Sequence, residues 1–561
     1  MGIPAYYSYL IKNYKKIIIK KKDVNKTINN FYLDSNSIIY NCLSTMNGDF
    51  SEEFINNLIK KICLQIDSYI KEIQPTDLVY ISFDGVAPFA KLKQQKERRF
   101  KSKIVTELLN DLINEKFSEI SVKNDESNIK FDRTCITPGT YFMQQMDKKV
   151  AEYFNGRERF YNIKKIIVST SNERGEGEHK IFDYIRNNNK NESHVIYGLD
   201  ADLIILCLNH MHLSKDIYLF RETPEFIKSL LKDIEPNELY LMKIEELMYY
   251  ILDNMVDKYD SNNAVNIIKD YVFIMFLLGN DFMPHFPSLN IRTHGIEMLL
   301  QTYKNILGKK KMFIIKDDEI VWKHFRELIE EFSSMELENL KREYRIRDKQ
   351  EKRDYQKNDE NTTNTEVEMN EKKLENVLLN LPIKERDVEK IINPNNFYWE
   401  NRYYEELFNT ERNEENLKKI CLNYIEGLEW NMLYYTSGCK NWKWKYKYSY
   451  PPLFKDLLNY LPLWSIDYIS ENVTSIDFNI QLAYVLPPSS MYLLPKQYRK
   501  KMIEYKEKTN DVDLQWAFCR YFWESHIDFK MEKIEEIEEI FAQIDKTEKN
   551  IEFIVKDEII F

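Results

Sequence analysis

Four short apolar runs in the amino-terminal part of the chain each lead into carboxylates. Phe31-Tyr32-Leu33 ends on Asp34, and Leu78-Val79-Tyr80-Ile81 leads to Asp84. Ile166-Ile167-Val168 leads to Glu176 and Glu178, and Val195-Ile196-Tyr197 to Asp200 and Asp202. Runs this short and this apolar fit strands buried on both faces, and helical stretches such as 52–72 and 142–154 lie between them. Strand–helix alternation of this kind predicts an α/β fold with a largely parallel sheet. In such a sheet the strand carboxyl ends share one edge, and ligands bind in the crevice beside it. The acids are therefore expected to converge there, with Asp281, which follows an apolar helix, as a further candidate.

Clustered carboxylates repel one another and are costly to bury unless a cation sits among them. Hard divalent ions with oxygen ligands are the natural guests, Mg²⁺ or Mn²⁺, and a pair of them performs phosphoryl chemistry by activating a water and stabilising a leaving oxygen. The competing reading makes each acid a helix cap or turn residue. Capping alone does not call for the Glu-x-Glu and Asp-x-Asp pairs. No Gly-x₄-Gly-Lys-Ser/Thr loop, Gly-x-Ser-x-Gly elbow or Cys/His signature is present.

Net charge bears on the partner. With 80 Lys+Arg against 90 Asp+Glu the chain carries −10, which excludes nucleic-acid coating by bulk charge and leaves room only for a local site. The basic residues do cluster at 88–103, PFAKLKQQKERRFKSK, where Pro88 suits a first helical turn. Lys91, Gln95, Arg98 and Arg99 then share one helix face just after Asp84, suited to gripping a terminal phosphate beside the metals. A merely solvated basic helix is the alternative. The seven cysteines are scattered, without zinc spacing, so a reducing compartment is expected. The opening MGIPAYYSYL lacks a signal-peptide core, and the longest apolar run, 271–278, falls short of the ~18 residues a membrane span needs. A soluble, cytoplasmic protein is expected, with no membrane association.

Length predicts more than one unit, because 561 residues exceed a single compact core. Residues 1–340 read as the α/β unit. Residues 341–375 are charged and nearly free of large apolar side chains, which predicts a solvated helix end followed by a disordered linker. Residues 376–561 form a second region in which Trp430, Tyr434, Tyr435, Trp442 and Trp444 need packing partners, expected from the first unit. An acidic helix and a strand-like end close the chain.

The ordered motifs MGIPAYYSYL, LDSNSIIYNC, FDGVAPFAKLKQQKERRFKS, CITPGTYFM, GEGEHKIFDYIR, YGLDADLIIL and FLLGNDFMPHFPSL resemble those of XRN-type 5′→3′ exoribonucleases. EGLEWNMLYYTSGCKNWKWKYKYSYPP and VLPPSSMYLLPKQYR resemble the family's second conserved region. The resemblance implies a PIN/flap-nuclease-like α/β core with an α-rich second region packed against it. It also implies a monomeric, two-metal, Mg²⁺-dependent enzyme that degrades single-stranded RNA processively from a 5′-monophosphate to nucleoside 5′-monophosphates. The family's metal-binding acids match Asp34, Asp84, Glu176, Glu178, Asp200, Asp202 and Asp281, and its 5′-phosphate pocket matches Lys91, Gln95, Arg98 and Arg99. Its base-stacking His position is Tyr40 here. A tyrosine still stacks, worth ~1–3 kcal/mol per base, but cannot protonate near neutral pH. The stacking Trp matches Trp523, with Trp516 the alternative. Ser37, Phe89 and Arg174 depart from the family pattern, which usually has Gly, a basic residue and Pro there; none removes a ligand. The resemblance implies a short form lacking the larger relatives' carboxyl-terminal domains, and the Asn/Lys/Ile/Tyr-rich style suggests a viral or reduced-genome source. The competing functions are a flap-type 5′ nuclease on DNA, disfavoured by the lack of a Gly-rich helix–hairpin–helix motif, and an inactive RNA-binding scaffold, disfavoured by the complete acid set.

Overall fold

The computed structural model describes all residues except 1, 2, 4, 47, 49, 50, 118–130, 189–190, 222–237, 363–375, 510–511, 530–531 and 546–561. A mostly parallel sheet of seven strands forms its centre. The strands are β1 (Ile18–Lys20), β2 (Asn30–Asp34), β3 (Leu78–Ser82), β4 (Lys165–Ser169), β5 (Ser193–Tyr197), β6 (Asp216–Phe220) and β7 (Tyr240–Lys243). Their order across the sheet is β1-β7-β6-β5-β2-β3-β4, with β2 to β6 parallel and β7 antiparallel to both of its neighbours, β6 and β1. Every residue of β2, β3, β5 and β6 is buried, as strands covered on both faces must be.

From β2 the chain steps outward to β3 and β4, then returns to the other side of β2 for β5 and β6. The reversal between β2 and β5 is a topological switch point, where the loops diverge and leave a crevice. The strand ends that border it lie level: Asp34 pairs with Ser82, Ser82 with Ser169, and Leu33 with Tyr197. The helices of this half are α1 (Tyr6–Asn13), α2 (Asn36–Ser44), α3 (Glu52–Ile73), α4 (Phe89–Phe117), α5 (Tyr141–Phe154), α6 (Glu158–Tyr161), α7 (Gly177–Asn187) and α8 (Asp202–Asn209). Strands β1, β6 and β7 are additions to the expected four. β1 and β7 hold three and four residues, too few to show a period.

The carboxyl-terminal half is helical apart from the short pairs β8 (Ile315–Lys316) with β9 (Glu319–Ile320), and β10 (Val512–Gln515) with β11 (His526–Phe529). One continuous apolar core joins the two halves. Ile196 and Leu203 to Leu208 of the sheet unit pack in the same cluster as Tyr424, Leu428, Trp430, Tyr434 and Tyr435 of helix Glu414–Thr436.

Residues from 341 continue a helix, Trp322–Thr362, and residues 363–375 lie outside the described residues, as does the expected strand-like end. Arg347 on this helix is buried and donates through Nε and Nη2 to both oxygens of Glu389, at 2.8 and 2.6 Å. Composition reads such a segment as solvated, because it counts charges without seeing that their partners come from another helix. Among the described residues, no helix is long and apolar enough to cross a membrane.

Candidate active site

The acids gather at the switch point. Asp34 is the last residue of β2, Asp84 lies just past β3, Asp200 follows β5 and Asp202 opens α8. Glu176 caps α7 and Glu178 stands in its first turn, where the helix dipole favours negative charge. Asp281 follows the turn Phe276–Leu278. Two loops are locked together to hold this array. Gly85 N donates to Gly175 O at 2.9 Å, and Gly175 N donates to Val86 O at 2.8 Å. Gly177 N donates to Asp84 Oδ1 at 2.7 Å, while Asn36 on α2 donates to Asp84 Oδ2 and accepts from the Asp84 N–H. A side chain at 177 does not fit, because a Cβ there would stand 2.5 Å from Asp34 Oδ1.

Lys91, at the start of α4, sits among these acids, 2.6 Å from both Glu176 Oε2 and Asp281 Oδ2. Burial raises the Asp281 carboxyl, but Lys91 outweighs it and holds Asp281 below the ordinary range. Burial raises Asp200 as well, but nearby positive charge that includes Lys91 holds it below its usual value, whereas burial wins at other acids. Burial, then repulsion from Asp84 and Asp200, pushes Asp34 well above its usual value, and burial raises Glu178 likewise. Asp202 is pushed up to about 7 by burial and by Asp281. Asp34 Oδ1 and Asp202 Oδ1 are buried without a hydrogen-bond partner. These orphaned oxygens, in an all-carboxylate set whose members destabilise one another, fit hard divalent cations. Among the described residues no three His, Cys, Asp or Glu side chains close on a common point as a metal-holding group. The Lys91 ammonium stands among the acids as a cation of the protein's own.

The aromatic helix supplies the site's far wall. Tyr434 O–H donates to Glu176 Oε1 at 2.9 Å, and its ring stacks on His179 of α7 at 3.6 Å between centroids. Replacing Tyr434 by Phe should therefore lower stability by about 1–3 kcal/mol, the cost of a buried acceptor losing its donor. Urea unfolding of the metal-free protein checks this, and an unchanged midpoint would mean that the bond is dispensable.

Beyond Lys91, α4 carries Gln95, Arg98 and Arg99 away from the acids. Arg98 is exposed, and Arg99 donates to Thr137 Oγ1 at 2.7 Å while its Nη1 and the Gln95 Oε1 lack partners. Burial lowers Arg99 to about 10, which still leaves it charged at neutral pH. Tyr40 on α2 is exposed and lies close enough to Arg99 to influence its charge. Trp523 is also exposed and stacks on Tyr521, and its backbone is tied to α4 because Lys101 Nζ donates to Trp523 O at 3.0 Å and Ser525 O at 2.6 Å. Trp516 instead donates to Glu385 O and lines a separate cavity, so of the two only Trp523 is joined to α4 by these bonds. Phe89 packs on Tyr484, and Lys445 places its ammonium 4.7 Å over the Phe89 ring.

Two family profiles match the chain in order. That for the XRN 5′-3′ exonuclease amino terminus matches residues 1–223, and that for the Xrn1 helical domain matches 259–396 and 383–517. The chain belongs to the XRN family. It is similar to 5′-3′ exoribonuclease 1 of Saccharomyces cerevisiae, 28% identical over 91% of this chain and 41% of the relative. It is also similar to 5′-3′ exoribonuclease 2 of Arabidopsis thaliana, 26% identical over 98% of this chain and 68% of the relative. A third similar protein is human 5′-3′ exoribonuclease 1, at 27% over 90% of this chain and 31% of the relative. The chain thus spans less than half the length of the yeast and human relatives.

Three residues of this XRN site escape the motif reading. Asn36 stands two positions after Asp34, and an Asn where a strand gives way to a helix is the signal that could have found it. Gly177 lies between the two glutamates, and its lack of a side chain is what lets α7 approach Asp34. Tyr434 is flagged by aromatic density as needing a partner from the first unit, but nothing local names that partner, Glu176, which is 258 residues away in the chain.

Proposed function

We propose that this XRN-family chain is a processive 5′→3′ exoribonuclease acting on single-stranded RNA with a 5′-monophosphate. The observation that carries the reading is the gathering of acids from four strand ends at one switch point, with the basic helix α4 starting in their midst. The names of the similar proteins support it.

Asp34, Asp84, Glu176, Glu178, Asp200, Asp202 and Asp281 would hold two divalent ions, Mg²⁺ or Mn²⁺. When bound, such ions supply an activated water and neutralise charge on the leaving oxygen. The protein's own groups do the rest. Arg98, Arg99 and Gln95 bind the terminal phosphate, whose charge and oxygens the two guanidinium forks match. Tyr40 and Trp523 stack the first bases. Lys91 keeps a positive charge beside Glu176 and Asp281, available to a phosphate oxygen entering the crevice. The first internucleotide phosphate then lies over the acids, one nucleotide from the grip, so each cleavage releases one nucleoside 5′-monophosphate.

The test compares 5′-monophosphate, 5′-triphosphate and 5′-hydroxyl forms of one RNA in Mg²⁺. The monophosphate should be degraded fastest, by at least about tenfold, and Arg98→Ala with Arg99→Ala should erase the difference. Equal rates on the three RNAs with the unmodified protein would remove the phosphate grip from the mechanism.

A further inference from the structure

A cavity of about 340 Å³ lies in the second region, outside the site described above. It is bordered by helix Asp387–Ile392, the end of helix Trp399–Phe408 and strand β10. Val388, Leu407, Leu514 and Trp516 give it an apolar lining. The Trp516 N–H is already satisfied by the Glu385 carbonyl, so this side chain offers the cavity apolar ring surface.

Carboxylates predominate around the cavity. Glu385, Asp387 and Glu406 border it, and none of the three is engaged in an ion pair among the described residues. The cationic side chain at the wall, Arg386, is consumed by Asp348, Glu351 and Glu389. The opening is thus apolar inside and bordered by carboxylates outside, of which Asp387 lies near Lys390 while Glu385 and Glu406 stand in no ion pair among the described residues.

The apolar surface continues beyond the cavity. Ile391 is 47% exposed and stands one helical turn from Asp387 and Val388, on the same face. The next turn of chain presents Phe397 at 91% exposure and Tyr398 at 79%. The backbone that carries them is pinned by one side chain. The Arg402 guanidinium donates to the carbonyls of Ile391, Ile392 and Phe397 at 2.7, 2.9 and 2.7 Å, which fixes Phe397 beside Ile391. Exposed aromatics on a fixed backbone next to a cavity are what a protein interface uses as anchors, because the backbone ordering cost is already met.

We propose that this face docks a short segment of a partner protein, one that inserts a large apolar side chain into the cavity and places Lys or Arg beside Glu385, Asp387 and Glu406. The rest of the segment lies along Ile391 and Phe397. Nucleic acid and anionic lipid are disfavoured occupants, since both would bring negative charge to the carboxylates.

The experiment displays random dodecamer peptides on phage, selects them on the whole chain, and measures the enriched peptides by fluorescence anisotropy. The expected consensus is an aromatic or branched apolar residue flanked by Lys or Arg, binding more weakly as salt rises. Affinity should fall at least about tenfold on the triple variant Glu385→Lys, Asp387→Lys, Glu406→Lys. Phe397→Ser, at a position too exposed to affect folding, should weaken the same peptides, and RNA degradation should be unchanged in both variants. Selection without a consensus, an acidic consensus, or peptides that bind the parent and both variants equally would each overturn the proposal. So would a single-stranded RNA probe whose binding the triple variant alters in place of the peptides'.

Discussion

Asparagine at position 34 should yield a protein that no longer degrades RNA, yet unfolds at a higher temperature than its parent in metal-free buffer. Asp34 is buried at the end of β2, its Oδ1 has no hydrogen-bond partner, and Asp84 and Asp200 repel its charge. The amide has the same shape without the charge, so the metal-free fold loses a repulsion. The proposed ions lose a ligand, and activity should fall at least about a hundredfold, since even removal of groups that only support a metal ligand costs 10–100-fold. The pH dependence follows from the sign of the shifts. Asp34 and Glu178 sit above their ordinary values of 3.8 and 4.5, and Asp202 near 7. Across that interval the folded protein holds more protons than the unfolded chain, so stability falls as pH rises from about 4 through 7. Thermal melts of the metal-free parent should therefore fall with pH in this window, more steeply than those of Asp34→Asn, and Mg²⁺ should restore most at the upper end. A variant with parental activity, or a parent whose metal-free melting point ignores pH, would refute the account.

Four of the five parallel strands are legible in the sequence as short apolar runs; β2, β3 and β5 are buried throughout, β4 at the sheet edge is only partly buried, and the equally buried β6 is not read. The carboxylates that close those runs are legible for a topological reason, since parallel strands must end on one edge. Contacts across the molecule are not legible. Helical periodicity puts Lys91 on one face with Gln95, Arg98 and Arg99, but it is silent about what that face meets, and the Lys91 ammonium meets Glu176 and Asp281. The resemblance matches the stacking Trp to Trp523 with Trp516 as the alternative; of the two, hydrogen bonds from Lys101 tie only the Trp523 loop to α4. Charge density at 341–362 announces a solvated helix end but conceals that Arg347 on this helix is buried, because its partner, Glu389, comes from a different helix.

Glutamine at position 532 should destabilise the fold by about 3–5 kcal/mol, the usual cost of leaving a buried charge without its partner. Glu532 is the carboxylate shared by two buried ammoniums, with Lys96 Nζ at 2.7 Å from Oε2 and Lys506 Nζ at 2.6 Å from Oε1. Lys96 belongs to α4 and stands within 6 Å of the Phe100, Tyr484 and Phe529 ring centres. Burial, then repulsion from Lys506, lowers Lys96 to about 7. The unfolded chain then holds the extra proton between about 7 and 10.5, so this group adds stability as pH rises through that range. Lys96→Met should be close to neutral or stabilising, because the Lys506–Glu532 pair survives and the aromatic cage accepts the thioether. The same two variants separate folding from substrate binding. Residues 523–529 and Glu532 are fastened to α4 at Lys101, at Phe100 through Phe529, and at Lys96. They therefore join the proposed stacking residue to the helix carrying the proposed phosphate grip. Glu532→Gln, assayed below its melting range, should raise KM for 5′-monophosphate RNA at least about tenfold with little change in kcat, whereas Lys96→Met should not. Urea unfolding and steady-state kinetics on the same preparations decide it. Equal effects of the two substitutions on KM would mean that this carboxylate serves folding alone, with Trp523 positioned by Lys101 and its own loop.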